Sequence, residues 1–211
     1  MDIESIPRNG LPSFEFEINM EKKGLSPVAG LDEVGRGALA GPVVVAAVIL
    51  NPDIIPLGID DSKKLTPKKR EKIYEEIINS AIVSIASADH QYIDNNNIHK
   101  ATLDMMYNAI KKLTISPKSV LIDGRSIPKN LSCQSFAIVK GDSVSLSIAA
   151  ASIIAKVTRD RIMRNAHKQY PYYGFDSHVG YPTAKHLQAI KENGPSRIHR
   201  MTFRPLKDLS I

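Results

Sequence analysis

Apolar and polar positions divide the chain into short strand-like runs and longer helical stripes. Two apolar runs bounded by Gly and Pro, 27–33 (PVAGLDE) and 42–50 (PVVVAAVIL), read as central strands. Pro42 opens the second, a position strands tolerate. The connection is too short for a crossover helix, so the pair is expected to be an antiparallel hairpin. After a long loop (51–66), Thr66 and Pro67 start a helix through KKREKIYEEIINS, with Ile73, Ile77 and Ile78 at helical spacing. Residues 81–88 (AIVSIASA) form a third strand. Asn95 to Asn97 precede a second helix that reaches about Lys112, with Met105 and Met106 in the core. Strands at 119–124 (SVLIDG) and 134–141 (QSFAIVKG) each end in a glycine. The longest helical pattern is 145–168, with Asp142 and Ser143 as candidate caps. A loop at 169–182, rich in Tyr, Pro and Gly, leads to a last helix stopped at Gly194 and Pro195.

The expected fold is α/β: a mixed β-sheet flanked by helices, with a C-terminal helical extension. Its expected organisation is a lead-in of little periodicity (1–24), a core (25–168) and a basic extension (169–211). The 211 residues suffice for one core without staples. One cysteine, Cys133, excludes an intramolecular disulfide and suits a reducing compartment, and no Cys/His cluster suggests zinc. The first twenty residues lack the pattern of a signal peptide, and no apolar stretch reaches bilayer length. A cytoplasmic monomer with no membrane contact is the expectation. Net charge is +6, unevenly placed: residues 1–150 carry 17 Lys/Arg against 18 Asp/Glu, and residues 151–211 carry 11 against 4. A polyanion such as nucleic acid suits that basic end.

Four acids stand where the pattern would prefer neutral residues. Asp32 and Glu33 end the first strand, Asp123 ends the strand VLID, and Asp160 shares a helix face with Ser152, Lys156 and His167. Ile153, Ile154, Val157 and Ile162 are the expected core side of that helix. Carboxylates drawn together raise one another's pKa, a cost that a hard divalent cation removes. Mg²⁺ or Mn²⁺ takes oxygen ligands, and a pair of such ions can support in-line phosphodiester cleavage. The plainer reading is that Asp32 or Asp123 caps a helix or pairs with an arginine. The segment Gly35, Arg36, Gly37 is neither a Walker A loop nor a dinucleotide fingerprint, but two glycines around an arginine let backbone approach a sugar-phosphate. Lys63 and Lys64 are candidate phosphate contacts, and Lys156 could hold Asp160 or touch substrate. Arg159 and Arg164 read as solvated charges. His99, His178 and His199 read as packing or hydrogen-bonding residues.

With these blocks in view, the chain resembles the ribonuclease HII family. The resemblance rests on GLDEVGRGALAGPVVVAAV (30–48), DDSKKL (60–65), VLIDG (120–124), KGD (140–142), SIAAASIIAKVTRDR (147–161), HVGYPT (178–183) and HRMTF (199–203). It implies a ribonuclease H-like fold, with Asp32, Glu33, Asp123 and Asp160 as the catalytic acids that bind Mn²⁺ or Mg²⁺. It further implies that Gly35, Arg36 and Gly37 contact the ribonucleotide, and that Tyr181 packs on the sugar of the following deoxynucleotide. The implied substrates are RNA–DNA hybrid and ribonucleotide-containing duplex DNA. Val34, Ala38, Val179 and Pro182 depart from the family's usual alanine, proline, lysine and glycine. Two other readings stay open on the residues alone: a metal-dependent DNA junction resolvase or exonuclease, and a non-catalytic nucleic-acid-binding protein.

Overall fold

A computed structural model describes residues 11–208. Five strands form one mixed sheet in the order β3-β2-β1-β4-β5. β1 (Val28–Val34) and β2 (Val43–Ile49) make the expected antiparallel hairpin. β3 (Ile82–Ala88) continues it antiparallel, while β4 (Ser119–Asp123) and β5 (Gln134–Ile138) add on the other side of β1 in parallel. β1 therefore lies at the centre, and its carboxyl end points the same way as those of β4 and β5.

The strand side chains alternate between two apolar layers, as a pleated sheet requires. Leu31, Val43, Val45 and Ala47 face α3 (His90–Asn96) and α4 (Ile98–Lys112), where Ile93, Met105 and Met106 are buried. Val44, Ala46 and Val48 face α2 (Pro67–Ser80) and α5 (Leu146–Gln169), where Ile73, Ile77, Ile153 and Ile154 complete the layer. Gly30 is what brings α5 so near the sheet: a Cβ there would sit 2.1 Å from the Ser147 carbonyl carbon. Thr66 caps α2 through Lys69 N–H with Pro67 behind it, as its sequence indicates.

Three local expectations need correction. The stretch read as a lead-in contains α1 (Glu15–Lys22), which buries Phe16 and Met20 against Val28, Leu121 and Ile148; residues 1–10 lie outside the described residues. An eight-residue helix gives too few turns for a clear stripe. Ser145, not Asp142 or Ser143, caps α5, accepting from Ile148 N–H, and Glu17 of α1 accepts from Ser145 Oγ and Ser147 N–H. On α5, Ile162 is 36% exposed, because the helix has by then run past the sheet. The extension holds α6 (Phe175–His178) and α7 (Ala184–Asn193), packed through Phe175 and Ile190 on Leu39, Ala40 and Met163. No helix among the described residues is long and apolar enough to cross a membrane.

Candidate active site

The acid cluster follows from strand register. β1 and β4 pair through Leu31 and Ile122, so Asp32 and Asp123 lie one residue further along, side by side at the carboxyl end of the sheet. Both extend the α5-facing rows, since Gly30 abuts α5 and Leu121 packs with Ile148. Glu33, next in line, points to the other face, where Thr102 and Met106 share its surroundings. The adjacent acids thus straddle the sheet end.

A fourth carboxylate joins them, and it is not the one expected. Because β5 runs parallel to β4, the turn after it delivers Lys140, Gly141 and Asp142 to the same sheet end. Asp123 Oδ1 accepts from Gly141 N–H at 2.7 Å, which fixes that turn, and Asp142 is buried beside it. Burial, then the charges of Asp123, Glu33 and Asp142, push the Asp32 carboxyl well above its ordinary value; one short bond from Glu33 N–H, 2.7 Å, works the other way. Burial and Asp142 raise Asp123 likewise. Burial raises Glu33 too, opposed by Arg36, which donates to Glu33 Oε1 at 3.1 Å.

Asp160 does not join this group. It accepts from Lys156 Nζ at 2.8 Å and pairs with Arg70 Nη1 at 3.6 Å, and it is not among the largest influences on Asp32, Glu33 or Asp123. The helix-face reading correctly matched Lys156 with Asp160, but that match neutralises the carboxylate. The signal for Asp142 was its position one turn beyond a strand parallel to β4.

Asp32, Glu33, Ser62, Lys63, Lys156 and Tyr181 line a cleft of about 340 Å³. Lys63 Nζ reaches Asp142 Oδ2 at 3.6 Å, whereas Lys64 turns to Asp60 Oδ1 at 3.4 Å. Ser152 donates to Ser62 Oγ at 2.7 Å, and no histidine lines this cleft to activate either hydroxyl. Among the described residues no three acids are already gathered tightly enough to hold an ion. The donor set nevertheless fits a hard divalent cation: every candidate donor is a carboxylate oxygen, the acids disfavour one another's ionisation, and buried Glu33 Oε2 has no hydrogen-bond partner.

Beside the acids lies the 35–37 turn. Gly35 has φ +95°, and a Cβ on it would meet Arg159 Nε at 2.2 Å; Gly37 is open, with only Tyr181 Cε1 3.9 Å from such a Cβ. Arg36 and Gly37 are exposed at the cleft's edge. Tyr181 is set by the extension: His186 Nδ1 lies 2.9 Å from its carbonyl, and the Arg159 guanidinium 5.4 Å from its ring centre. Contrary to expectation Arg159 is fully buried, while Arg164 pairs with Glu71. His178, His186 and His199 are buried, with His186 stacked on His178 and tilted against His199. Only one set of neutral tautomers satisfies them. His199 Nδ1 accepts from Ser196 N–H, so its Nε2–H donates to His186 Nε2, whose Nδ1–H donates to Tyr181 O. Burial pulls His186 and His199 down to about 4.

A family model, "Ribonuclease HII", matches residues 29–205. The chain belongs to the ribonuclease HII family. The ribonuclease HII of Sinorhizobium medicae is 56% identical over 94% of this chain and 92% of its own length, and that of Agrobacterium fabrum 57% over 93% and 90%. Among solved structures, the ribonuclease H2 of Pyrococcus horikoshii superposes with a TM-score of 0.74 at 28% identity, covering 86% of this chain and 95% of that one. The mixed sheet with flanking helices is thus the ribonuclease H-like fold, and this family generally works through divalent metals.

Proposed function

We propose that this ribonuclease HII family member is an endonuclease that hydrolyses the RNA strand of RNA–DNA hybrids. It also cuts 5′ of ribonucleotides embedded in duplex DNA, leaving 3′-hydroxyl and 5′-phosphate ends. The observation that carries the reading is the meeting of Asp32, Glu33, Asp123 and Asp142 from two strand ends and a turn, beside an open glycine turn and an aromatic ring. Asp32, Glu33, Asp123 and Asp142 would hold Mg²⁺ or Mn²⁺, with Asp160 reassigned to orienting Lys156. When bound, the metal would supply charge for the scissile phosphate and a more acidic water as nucleophile.

The chain's own groups do the rest. Lys63 and Lys156 reach into the cleft as cations for phosphate, and Arg36 holds Glu33 while open Gly37 beside it admits the sugar. A 2′-hydroxyl is what separates RNA from DNA, and backbone N–H groups at the 35–37 turn can read it. The ring of Tyr181 suits a deoxyribose, where an extra hydroxyl would crowd it. Val179 and Pro182 leave this loop without a lysine and with a stiffened residue after the tyrosine. The protein is further proposed to act as a cytoplasmic monomer. The test is cleavage of a duplex with one ribonucleotide, in Mg²⁺ or Mn²⁺ and then in EDTA. Cutting 5′ of the ribonucleotide, lost in EDTA and absent from the all-DNA duplex, is expected; full cutting in EDTA or of all-DNA duplex overturns the reading.

A further inference from the structure

Two arginines, 0% exposed, stand behind the 35–37 turn, and neither has a carboxylate within pairing distance among the described residues. Burying a guanidinium without an acid costs several kcal/mol unless its donors are otherwise met. Here backbone carbonyls meet them. Arg159 donates to Pro42 O at 2.8 Å, Val179 O at 2.8 Å and Ala40 O at 3.1 Å. Arg200, from the HRMTF block, donates twice to Gly41 O, at 3.0 and 2.9 Å, and once to Arg36 O at 3.0 Å.

The last of these bonds sets a direction. A trans peptide is planar, so its N–H points opposite to its C=O. With Arg36 O turned inward to Arg200, Gly37 N–H faces outward, and a Cβ on Gly37 would have Tyr181 Cε1 as its nearest neighbour. That N–H has no acceptor within the protein among the described residues. Arg159 meanwhile lies under the Tyr181 ring and holds the carbonyl of Val179, a β-branched residue at φ +46°. A valine rarely takes that conformation without support from its surroundings. Arg159 thus ties the hairpin turn to the tyrosine loop and Arg200 fixes the turn itself, although they come from α5 and the C-terminal tail.

We infer that Arg159 and Arg200 are positioning residues for sugar recognition: Arg200 aims the Gly37 N–H into the cleft, and Arg159 sets Tyr181 at the matching distance. This rests on the proposed ribonucleotide-directed activity and goes beyond it by naming what holds the two recognition elements in register. Neither arginine touches substrate. Lysine in either place keeps a charge but lacks the planar fork that meets these carbonyls together, so the turn and ring should drift relative to each other while the acids stay in place.

The experiment compares wild type, Arg200→Lys and Arg159→Lys on a duplex with a single ribonucleotide and on a continuous hybrid, with thermal unfolding and Mn²⁺ binding measured alongside. Each variant should bind Mn²⁺ as wild type does, yet lose about tenfold or more in kcat/KM on the single ribonucleotide relative to the hybrid, given the cost of small misplacements. An equal loss on both substrates, or no loss, overturns the inference. Should a variant fail to fold, the unmodified protein still decides. Its Gly37 amide proton must shift on binding the single-ribonucleotide duplex in Ca²⁺, and an unmoved resonance overturns the inference as well. If wild type cuts neither substrate, the proposed function fails instead.

Discussion

The acid cleft and the platform beneath Tyr181 are built from opposite rules. In the cleft, like charges crowd at the end of three parallel-running strands, and Glu33 Oε2 is left buried without a partner. In the platform, groups equally awkward to bury are all satisfied from within: two guanidiniums by carbonyls, three histidines by one consistent order of tautomers. A cluster of like charges that the chain leaves incomplete is open to completion by a cation. A cluster that the chain completes itself holds geometry. The platform is therefore read as a support, and the cleft as the proposed place of the chemistry.

The strongest way to break this contrast is to neutralise the acids. Asp32→Asn and Asp123→Asn should each lower cleavage by more than about a hundredfold, since even outer-shell partners of a metal cost that much. Their metal-free thermal midpoints should hold or rise, because carboxylate repulsion is relieved. Wild-type turnover in either would remove them from the site. Tyr181→Ala comes next: it should cost about tenfold on single-ribonucleotide duplex by loss of base- or sugar-stacking area, with Mn²⁺ affinity retained. Equal turnover on that substrate would take the ring out of recognition.

Acid sharpens the contrast from the platform side. His186 and His199 have folded values near 4 against 6.5 unfolded, so the folded state binds fewer protons between those limits. Their contribution is complete above about pH 6.5 and is lost as pH falls toward 4, on the order of a few kcal/mol for the pair. The raised acids of the cleft slope the opposite way. The histidine share is therefore read as the difference in unfolding midpoint between wild type and His199→Asn, from pH 7 to pH 4.5. A variant with the same pH slope as wild type would show that these rings do not resist protonation. The smallest effect concerns Asp160→Asn, which loosens Lys156 and should cost at most about tenfold in cleavage while leaving metal affinity unchanged.

Much of this was legible in the residues. The hairpin, the parallel strand ending in Asp123 and the long helix each carry a strong local pattern, and Asp32, Glu33 and Asp123 follow as strand-end acids. Asp142 was hidden because its place depends on β5 pairing in parallel with β4, which no local pattern states. Asp160 misled because a helical stripe records which residues share a face and not which cation reaches them first. Arg159 could not be told from its ion-paired neighbours Arg161 and Arg164: its burial depends on a glycine turn 117 residues away in sequence accepting its Nε–H through Pro42.

The central claim is that Asp142, and not Asp160, completes the set of carboxylates proposed to hold the metal. Calorimetric titration of Mn²⁺ into wild type, Asp142→Asn and Asp160→Asn tests it most directly. Weakened binding by about tenfold or more in Asp142→Asn, with Asp160→Asn unchanged, is the predicted result. Binding that survives in Asp142→Asn and fails in Asp160→Asn would contradict the account.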